Sequence, residues 1–299
     1  MKKTLLAYLL LAGCATAQTT SPSSTSIPTE QSSTSTSTQT ESEKIKSEVQ
    51  KIVSESKCVT HEWGKKRGLA PSSYIKGMGL VYARALCKHN DKDIEIASAP
   101  VDLSKKEKDA LAAYAKELKN TGMKNDTPTN ILRHNYTLLI GLGMMESSGK
   151  YCEGRDVSQC FVKAENAEAG LFQTSYGAHT AILAYLNKQY EDNKRLCLTE
   201  EFGGSKITCR IQKSYNPSCP LATSDVVGTG PGADWQKMTK TCPAFAVEYA
   251  AVVLRKNGGS RGEFGPIRRH QVELLPECDT MLEKIQSYVE SHPKGCSAL

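Results

Sequence analysis

The chain has 299 residues, of which 39% are hydrophobic, and it carries a formal net charge of +6 at pH 7. A positive charge of this size suits an anionic polymer as a partner, but it would equally suit many secreted proteins. The sequence has no basic run with interleaved aromatic residues and no recognised nucleic-acid motif, so nucleic-acid binding is not expected.

Residues 1–17 are predicted to be an export signal. A basic start, Met-Lys-Lys, precedes an apolar run that is too short to span a bilayer. Residues 11–14, Leu-Ala-Gly-Cys, resemble a bacterial lipobox in which Cys14 would be lipidated, whereas residues 15–17 offer a cleavage site that would release a soluble protein. The protein is therefore expected in the periplasm, on the cell envelope through a lipid on Cys14, or secreted, and the sequence leaves lipidation against release open.

Residues 18–42 consist mainly of Ser, Thr, Gln and Pro. A segment of this composition cannot bury enough apolar surface to fold, so we predict a disordered linker. From residue 43 to residue 299 the composition changes to charged and apolar residues. We expect this part to be the folded domain, with its first helices packed as a cover over the rest.

Cysteine usage predicts a disulfide-linked domain. There are eleven cysteines, and removing Cys14 leaves ten, an even number that in an exported chain implies disulfides. Cys152 and Cys160 flank one short loop, and Cys197 and Cys209 flank another, so both are candidate pairs. No Cys-x-x-Cys occurs and the histidines are far apart in sequence, so neither a metal site nor a cofactor is predicted.

Apolar periodicity predicts a mainly α-helical fold. The predicted helices cover residues 44–53, 73–86, 127–145, 178–190, 243–256 and 277–290. A further helix is predicted to open at a capping box in residues 104–107 and to run through Leu118. Residues 194–237, rich in Gly, Pro and Cys, are predicted to form a long loop, and residues 263–269 a turn.

The helix that begins at Thr127 is apolar on every side from Leu138 to Met145, which is typical of a helix inside a core. Glu146 lies in its last turn, and residues 147–149 end it. Burial and the negative end of the helix dipole both raise the pKa of such a carboxyl group, so Glu146 is expected to keep its proton at neutral pH. A Glu of this kind is the usual acid of glycoside cleavage. The alternative is a helix-ending Glu that points into water.

Residues 169–174, Ala-Gly-Leu-Phe-Gln-Thr, follow Glu146 after a polar, Cys-bearing segment. Glu146-Ser-Ser, the irregular loop and this segment together resemble the lysozyme-like superfamily, specifically goose-type lysozymes and soluble lytic transglycosylases. Their pattern is Glu-Ser at a helix end followed by Gly-Leu-Met-Gln, and Phe172 stands where Met is usual. The resemblance covers residues 127–176. It implies a lysozyme-like fold with a small irregular or β-hairpin lobe.

The resemblance also implies an activity and a set of site residues. Glu146 would be the general acid that cuts the β-1,4 linkage between N-acetylmuramic acid and N-acetylglucosamine in peptidoglycan strands. The residues expected to bind the sugars are Ser147, Ser148, Gly170, Leu171, Gln173 and Tyr249. Tyr249 is included because a Tyr on a late helix of lytic transglycosylases often faces the acid; core packing is its alternative role.

Hydrolysis with inversion would need a second carboxylate. The candidates are Glu153, Asp156, Glu165 and Glu168. If none acts, the resemblance implies that the sugar's own hydroxyl closes an anhydro ring, so hydrolysis and transglycosylation both stay open. An acidic groove could also favour free amines, as in the branch of the superfamily that prefers de-N-acetylated peptidoglycan.

Two other classes of function compete with the enzyme. The first is a non-catalytic peptidoglycan-binding lipoprotein that retains the groove. The second is a peptidase or amidase using Cys and His, against which the even cysteine count argues. In each case the expected partner is peptidoglycan, and the protein is expected to be a monomer. The sequence does not indicate whether the target wall is the cell's own or foreign.

Overall fold

The computed structural model describes residues 40–154, 162–191, 193–204, 207 and 226–298. The chain from Gln39 onwards forms a compact, mainly helical unit, and its described part contains one two-stranded sheet. The leader and most of the predicted linker lie outside the described residues. No described helix is both long and apolar enough to cross a membrane.

The α-helices are α1 (Glu41–Ser54), α2 (Lys57–Thr60), α3 (Ser72–Cys87), α4 (Lys92–Ala97), α5 (Ala110–Ala113), α6 (Ala115–Asn120), α7 (Pro128–Ser147), α8 (Leu183–Glu191), α9 (Thr199–Phe202), α10 (Pro231–Thr241), α11 (Pro243–Asn257), α12 (Gly265–Arg268) and α13 (Pro276–Ser291). Short 3-10 turns cover Leu103–Lys105, Ala164–Asn166, Tyr176–Ala178, Thr180–Ile182, Lys194–Cys197 and Pro293–Ala298. Strands β1 (Glu62–Trp63) and β2 (Gly68–Leu69) form an antiparallel hairpin.

Helix α7 lies in the centre of the molecule, as the sequence predicted. Every residue from Ile131 to Met145 is buried, and α3, α4, α11 and α13 pack around it. Its first turn is capped by Thr127, whose hydroxyl accepts a hydrogen bond from the backbone N–H of Asn130 at 3.1 Å. Helix α1 packs outside, against α3 and α13.

Two glycines let neighbouring groups approach the backbone of α7. The hydroxyl of Tyr74 donates a hydrogen bond to the carbonyl oxygen of Ile140 at 2.8 Å, and a Cβ at Gly143 would lie 2.3 Å from that hydroxyl. A Cβ at Gly141 would lie 2.3 Å from the backbone oxygen of Glu273. The glycines of the apolar run therefore fix how closely α3 and the segment before α13 pack on α7.

Disulfides join parts of the chain that are distant in sequence. The described disulfides are Cys58–Cys278, Cys87–Cys296 and Cys197–Cys242. The predicted local pair of Cys197 with Cys209 is wrong, because the turn that carries Cys197 packs against α11 and brings its sulfur to Cys242. Cys152 is also disulfide-bonded; Cys160 and Cys209 lie outside the described residues.

The helix predicted to open at the residue 104–107 capping box begins later, with α5. Asp109 caps α5, accepting a hydrogen bond from the N–H of Leu111 at 2.9 Å. The segment before it cannot continue a helix, because the carbonyl of Lys108 accepts from the N–H of Gly258 at 2.8 Å and its neighbours bond to residues 260 and 261. A buried ion pair at 3.0 Å between Asp109 and Arg255 holds the cap in place.

Other boundaries also differ from the prediction. The predicted loop of residues 194–237 contains α9 and the start of α10, because Pro231 suits a first helical turn and Trp235 is buried against the core. The predicted turn at residues 263–269 contains α12. The predicted helix of residues 178–190 is regular only from Leu183. Helices α11 and α13 are confirmed.

A Gly141→Ala substitution tests the packing of α7. In an exposed helix this change stabilises by up to about 1 kcal/mol, whereas here the new methyl group meets a backbone oxygen that cannot rotate away. We expect the free energy of unfolding in urea to fall by about 1 to 3 kcal/mol. Ser287→Ala, at an exposed position of α13, is the matched control and should change it by less than about 0.5 kcal/mol. A more stable Gly141→Ala protein would contradict this packing.

Candidate active site

Glu146 lies in the last turn of α7, where the helix leaves the core. Its neighbours Met145 and Ser147 are buried, and Glu146 itself is partly buried. The helix ends because Ser148 adopts a left-handed conformation, with φ of 54°, and Gly149 follows with φ of 75°. A Cβ at Gly149 would lie 2.7 Å from the ring of Tyr74, so the chain turns tightly and Glu146 stays at the edge of the core.

The pKa of Glu146 is raised to about 8, first by burial and second by the negative charge of Glu168. The positive charges of Arg67, Arg269 and Arg268 act in the opposite direction. The sequence predicted the direction of this shift from burial and the helix dipole. The structure adds a second carboxylate as a cause. Glu146 therefore keeps its proton at pH 7 and can donate it.

The two serines after Glu146 have different environments. The hydroxyl of Ser147 is buried and donates to the carbonyl oxygen of Gly143 at 3.1 Å, within its own helix. The hydroxyl of Ser148 accepts a hydrogen bond from a guanidinium N–H of Arg67 at 3.3 Å. Of the two, only Ser148 faces the open side of the site.

Residues 169–174 form a tight turn beside the acid. Ala169 and Thr174 pair as an isolated antiparallel bridge, with Ala169 N–H donating to the Thr174 oxygen at 3.0 Å. Gly170 and Gln173 both have positive φ, of 76° and 46°. Since Glu168 directly precedes this turn, the turn fixes the second carboxylate near Glu146.

The side-chain amide of Gln173 is used within the protein. It donates to the carbonyl oxygens of Gly154 at 3.0 Å and Gly170 at 2.9 Å, and Gly170 N–H donates to the oxygen of Glu153 at 3.0 Å. These bonds hold the segment after α7 against the turn. Leu171 and Gly170 are buried, so these two residues shape the wall of the site and do not present side-chain surface to solvent.

The other predicted carboxylates lie differently. Glu153 is about 13% exposed and lies 3.6 Å from the ammonium group of Lys150. Glu165 is exposed and is not among the groups that raise the pKa of Glu146. Asp156 lies outside the described residues. Of the described candidates, Glu168 has the largest effect on the pKa of the acid.

Tyr249 supports the site from within the core. It is fully buried in α11, and its ring lies edge-on to that of Trp235. Its hydroxyl donates to the oxygen of Ser175 at 2.9 Å and accepts from the N–H of His179 at 3.0 Å. It has no exposed surface to offer a sugar, so its observed contacts position the chain that follows residues 169–174.

Three arginines near Glu146 were missed by the sequence analysis. Arg67 is in the β1–β2 hairpin, Arg268 ends α12, and Arg269 follows it. Helix α12 packs against α7, and the hairpin reaches Ser148. The adjacent basic residues Lys66-Arg67 and Arg268-Arg269 are visible in the sequence. Their positions in the sequence do not indicate that they lie near Glu146.

Within the described ranges, no group of three or more His, Cys, Asp or Glu side chains is placed to hold a metal ion. No protein-family model, curated protein or solved structure matches this chain significantly.

The raised pKa of Glu146 predicts a pH-dependent stability. Between about pH 4.5 and about pH 8 the folded protein holds a proton that the unfolded chain has released. The free energy of unfolding therefore falls as pH rises through this window, by up to about 1.4 kcal/mol per pH unit. Because Glu146→Gln removes this loss, we expect the variant to match the wild type near pH 4 and to be more stable at pH 8 by about 2 kcal/mol or more.

Urea denaturation at both pH values measures this difference. Glu95→Gln, at an exposed position of α4, is the matched control and should give the same difference from wild type at both. An equal effect of Glu146→Gln at pH 4 and pH 8 would show that the carboxyl group is not buried.

The contacts of Tyr249 predict the effect of removing its hydroxyl. Tyr249→Phe leaves the part-buried N–H of His179 and the buried carbonyl of Ser175 without their partner, so we expect a loss of about 1 to 3 kcal/mol in the free energy of unfolding. Tyr288→Phe, in α13, is the control, because the Tyr288 hydroxyl makes no hydrogen bond in the described part of the chain. Equal effects of the two substitutions in urea denaturation would contradict the positioning role.

Proposed function

We propose that this protein cleaves peptidoglycan glycan strands at the β-1,4 linkage between N-acetylmuramic acid and N-acetylglucosamine, with Glu146 as general acid. The observation that carries the proposal is a carboxyl group with a pKa of about 8, held at the end of a buried helix beside a second carboxylate, Glu168. Two carboxyl groups in different protonation states are what glycoside cleavage requires.

The first step is a proton transfer. The neutral carboxyl group of Glu146 donates its proton to the glycosidic oxygen as the bond from that oxygen to the anomeric carbon breaks. The anomeric carbon acquires oxocarbenium character, and the leaving sugar departs with a hydroxyl group. Glu146 is left as a carboxylate, and the adjacent negative charge of Glu168 can stabilise the positive charge on the sugar ring.

The second step has two possible nucleophiles. In hydrolysis, Glu168 removes a proton from a water molecule whose oxygen bonds to the anomeric carbon. In transglycosylation, the carboxylate of Glu146 takes the proton from a hydroxyl group of the same sugar, and that oxygen closes an anhydro ring. The products differ by one water molecule, so product analysis decides between them.

The resemblance to goose-type lysozymes and lytic transglycosylases supports the same proposal, and with it a lysozyme-like fold. Its two sequence elements, the end of α7 and residues 169–174, lie together in space: Phe172 approaches the position of Gly143 one turn before Glu146. A binding protein without activity is the main rival, and the activity test separates the two. A cysteine peptidase is disfavoured, because every cysteine in the described part of the chain is disulfide-bonded.

The direct test is digestion of purified peptidoglycan, acetylated and de-N-acetylated, followed by mass spectrometry of the products. We expect Glu146→Gln to reduce the rate by about 10²- to 10⁴-fold, the usual contribution of a general acid. Glu95→Gln should leave the rate unchanged. Products with reducing ends and a loss of activity in Glu168→Gln would mean hydrolysis, whereas anhydro ends would mean transglycosylation. Cleavage that survives in Glu146→Gln, or a wild-type protein that binds the wall without cutting it, would reject the proposal.

The raised pKa also predicts the pH dependence of the rate. Since only the protonated carboxyl group donates, kcat/KM should fall about tenfold per pH unit above about pH 8. Initial rates on a soluble glycan fragment between pH 5 and pH 10 would measure this limb. A limb beginning near pH 5 would mean that the pKa of the catalytic acid lies near 5, which would contradict the raised pKa of Glu146.

A further inference from the structure

A cleft of about 910 Å³ opens beside the chain that follows α7; Glu146 itself does not line it, and the chemistry described above does not use it. One wall is the β1–β2 hairpin, with Arg67 and Leu69, and another is the start of α3, with Lys76. The chain just after α7 adds Ser148 and Lys150. The cleft is of the size that holds small organic ligands, and it begins two residues from Glu146.

Arg67 differs from the buried arginines of this protein. Arg84 and Arg255 pair with carboxylates at 2.9 and 3.0 Å. In the described part of the chain, the only side-chain partner of Arg67 is the hydroxyl of Ser148, at 3.3 Å. A guanidinium carries a planar set of N–H donors that matches a carboxylate, and most of these donors are available on Arg67.

The hairpin adds an apolar contact on the same side. Arg67 and Leu69 both line this cleft. Leu69 is 63% exposed, which is unusual among the large apolar residues of this chain. The cleft therefore combines an available cation with an exposed aliphatic side chain.

The turn of the hairpin contains two basic residues in an unfavourable backbone conformation. Lys65 and Lys66 both have positive φ, of 56° and 62°, in a two-residue turn closed by a hydrogen bond from Arg67 N–H to the Gly64 oxygen. Turns of this geometry favour Asn-Gly, because the left-handed conformation is unfavourable for residues other than Gly and Asn. Stability alone does not account for two lysines here.

We propose that this cleft is a subsite for a carboxylate with an adjacent methyl group on the substrate, bound by Arg67 and Leu69. This inference rests on the proposed function. It adds that the protein distinguishes a glycan that carries a carboxylate from a neutral glycan. Two parts of peptidoglycan carry this chemistry: the lactyl substituent of a muramic acid that has no peptide, and the alanine carboxylate of a peptide stem. A neutral chitin-type glycan carries neither.

Some of the charged groups that line the cleft are already paired within the protein. Lys150 lies 3.6 Å from Glu153. The carboxylates that line the cleft are Glu200 and Glu201, both from α9, and Glu201 pairs with Lys46. Arg67 and Lys76 have no carboxylate partner among the described residues. An incoming carboxylate would therefore meet an uncompensated positive charge on the side of the cleft nearest to Glu146.

The test measures binding to the full-length Glu146→Gln protein, which holds the glycan without cutting it, by calorimetry. Four oligosaccharides of equal length serve as probes: a neutral N-acetylglucosamine oligomer, a peptide-free muramyl glycan, the same glycan with its carboxylates converted to primary amides, and a muramyl glycan with peptide stems. A charged hydrogen bond contributes about 1.5 to 3 kcal/mol, so we expect the carboxylate form to bind about 10- to 100-fold more tightly than the amide.

Substitutions test whether Arg67 causes the preference for the carboxylate form. Adding Arg67→Gln should reduce the ratio between carboxylate and amide forms to about twofold or less, and Arg67→Lys should keep part of it. Arg261→Gln, an exposed arginine paired with Glu107, is the matched control and should keep all of it. Comparison of the peptide-free and peptide-bearing glycans identifies which source of carboxylate is preferred.

The outcomes separate this inference from the proposed function. Equal binding of carboxylate and amide forms, or a preference that survives Arg67→Gln, overturns the subsite while leaving cleavage intact. If Arg67→Gln removes the preference for the carboxylate form and Arg261→Gln keeps it, the subsite is supported. If the wild-type protein then cuts no glycan, only the proposed function fails. No binding of any probe overturns both.

Discussion

The close packing of α7 is the constraint on which the candidate site depends. A carboxyl group keeps its proton at pH 7 only if its surroundings cannot rearrange to solvate the charge. Tyr74 and the backbone of Glu273 reach into α7 through Gly143 and Gly141, and they leave its last turn no freedom to shift outwards. The chemistry proposed for Glu146 is thus a consequence of two glycines that lie within the preceding six residues.

The electrostatics of the site balance two opposing sets of charges. Glu168 raises the pKa of Glu146, whereas Arg67, Arg268 and Arg269 lower it. Burial is the largest cause of the raised pKa, Glu168 adds to it, and the arginines limit the increase that these two produce. A general acid is efficient when it is protonated at the working pH and its pKa is not far above that pH.

Much of the fold was accessible from the sequence, because local patterns determine it. The boundaries of α7, α11 and α13 follow from proline positions and apolar spacing, and the direction of the pKa shift of Glu146 follows from its place at the end of a buried helix. Two of the errors share one cause. The start of α5 at Asp109 depends on Arg255, and Cys197 pairs with Cys242, so each is decided by a partner that is distant in sequence.

The positions of the arginines around Glu146 also depend on contacts distant in sequence, and one of them, Arg67, carries the proposed substrate preference. If a substrate carboxylate pairs with Arg67, it neutralises a charge that lowers the pKa of Glu146. The acid would then hold its proton more firmly in the complex than in the free protein. A neutral glycan would leave Arg67 unpaired and Glu146 more readily ionised. Recognition of the substituent and readiness of the acid would thereby be coupled through one side chain, because Arg67 reaches both the cleft and the end of α7.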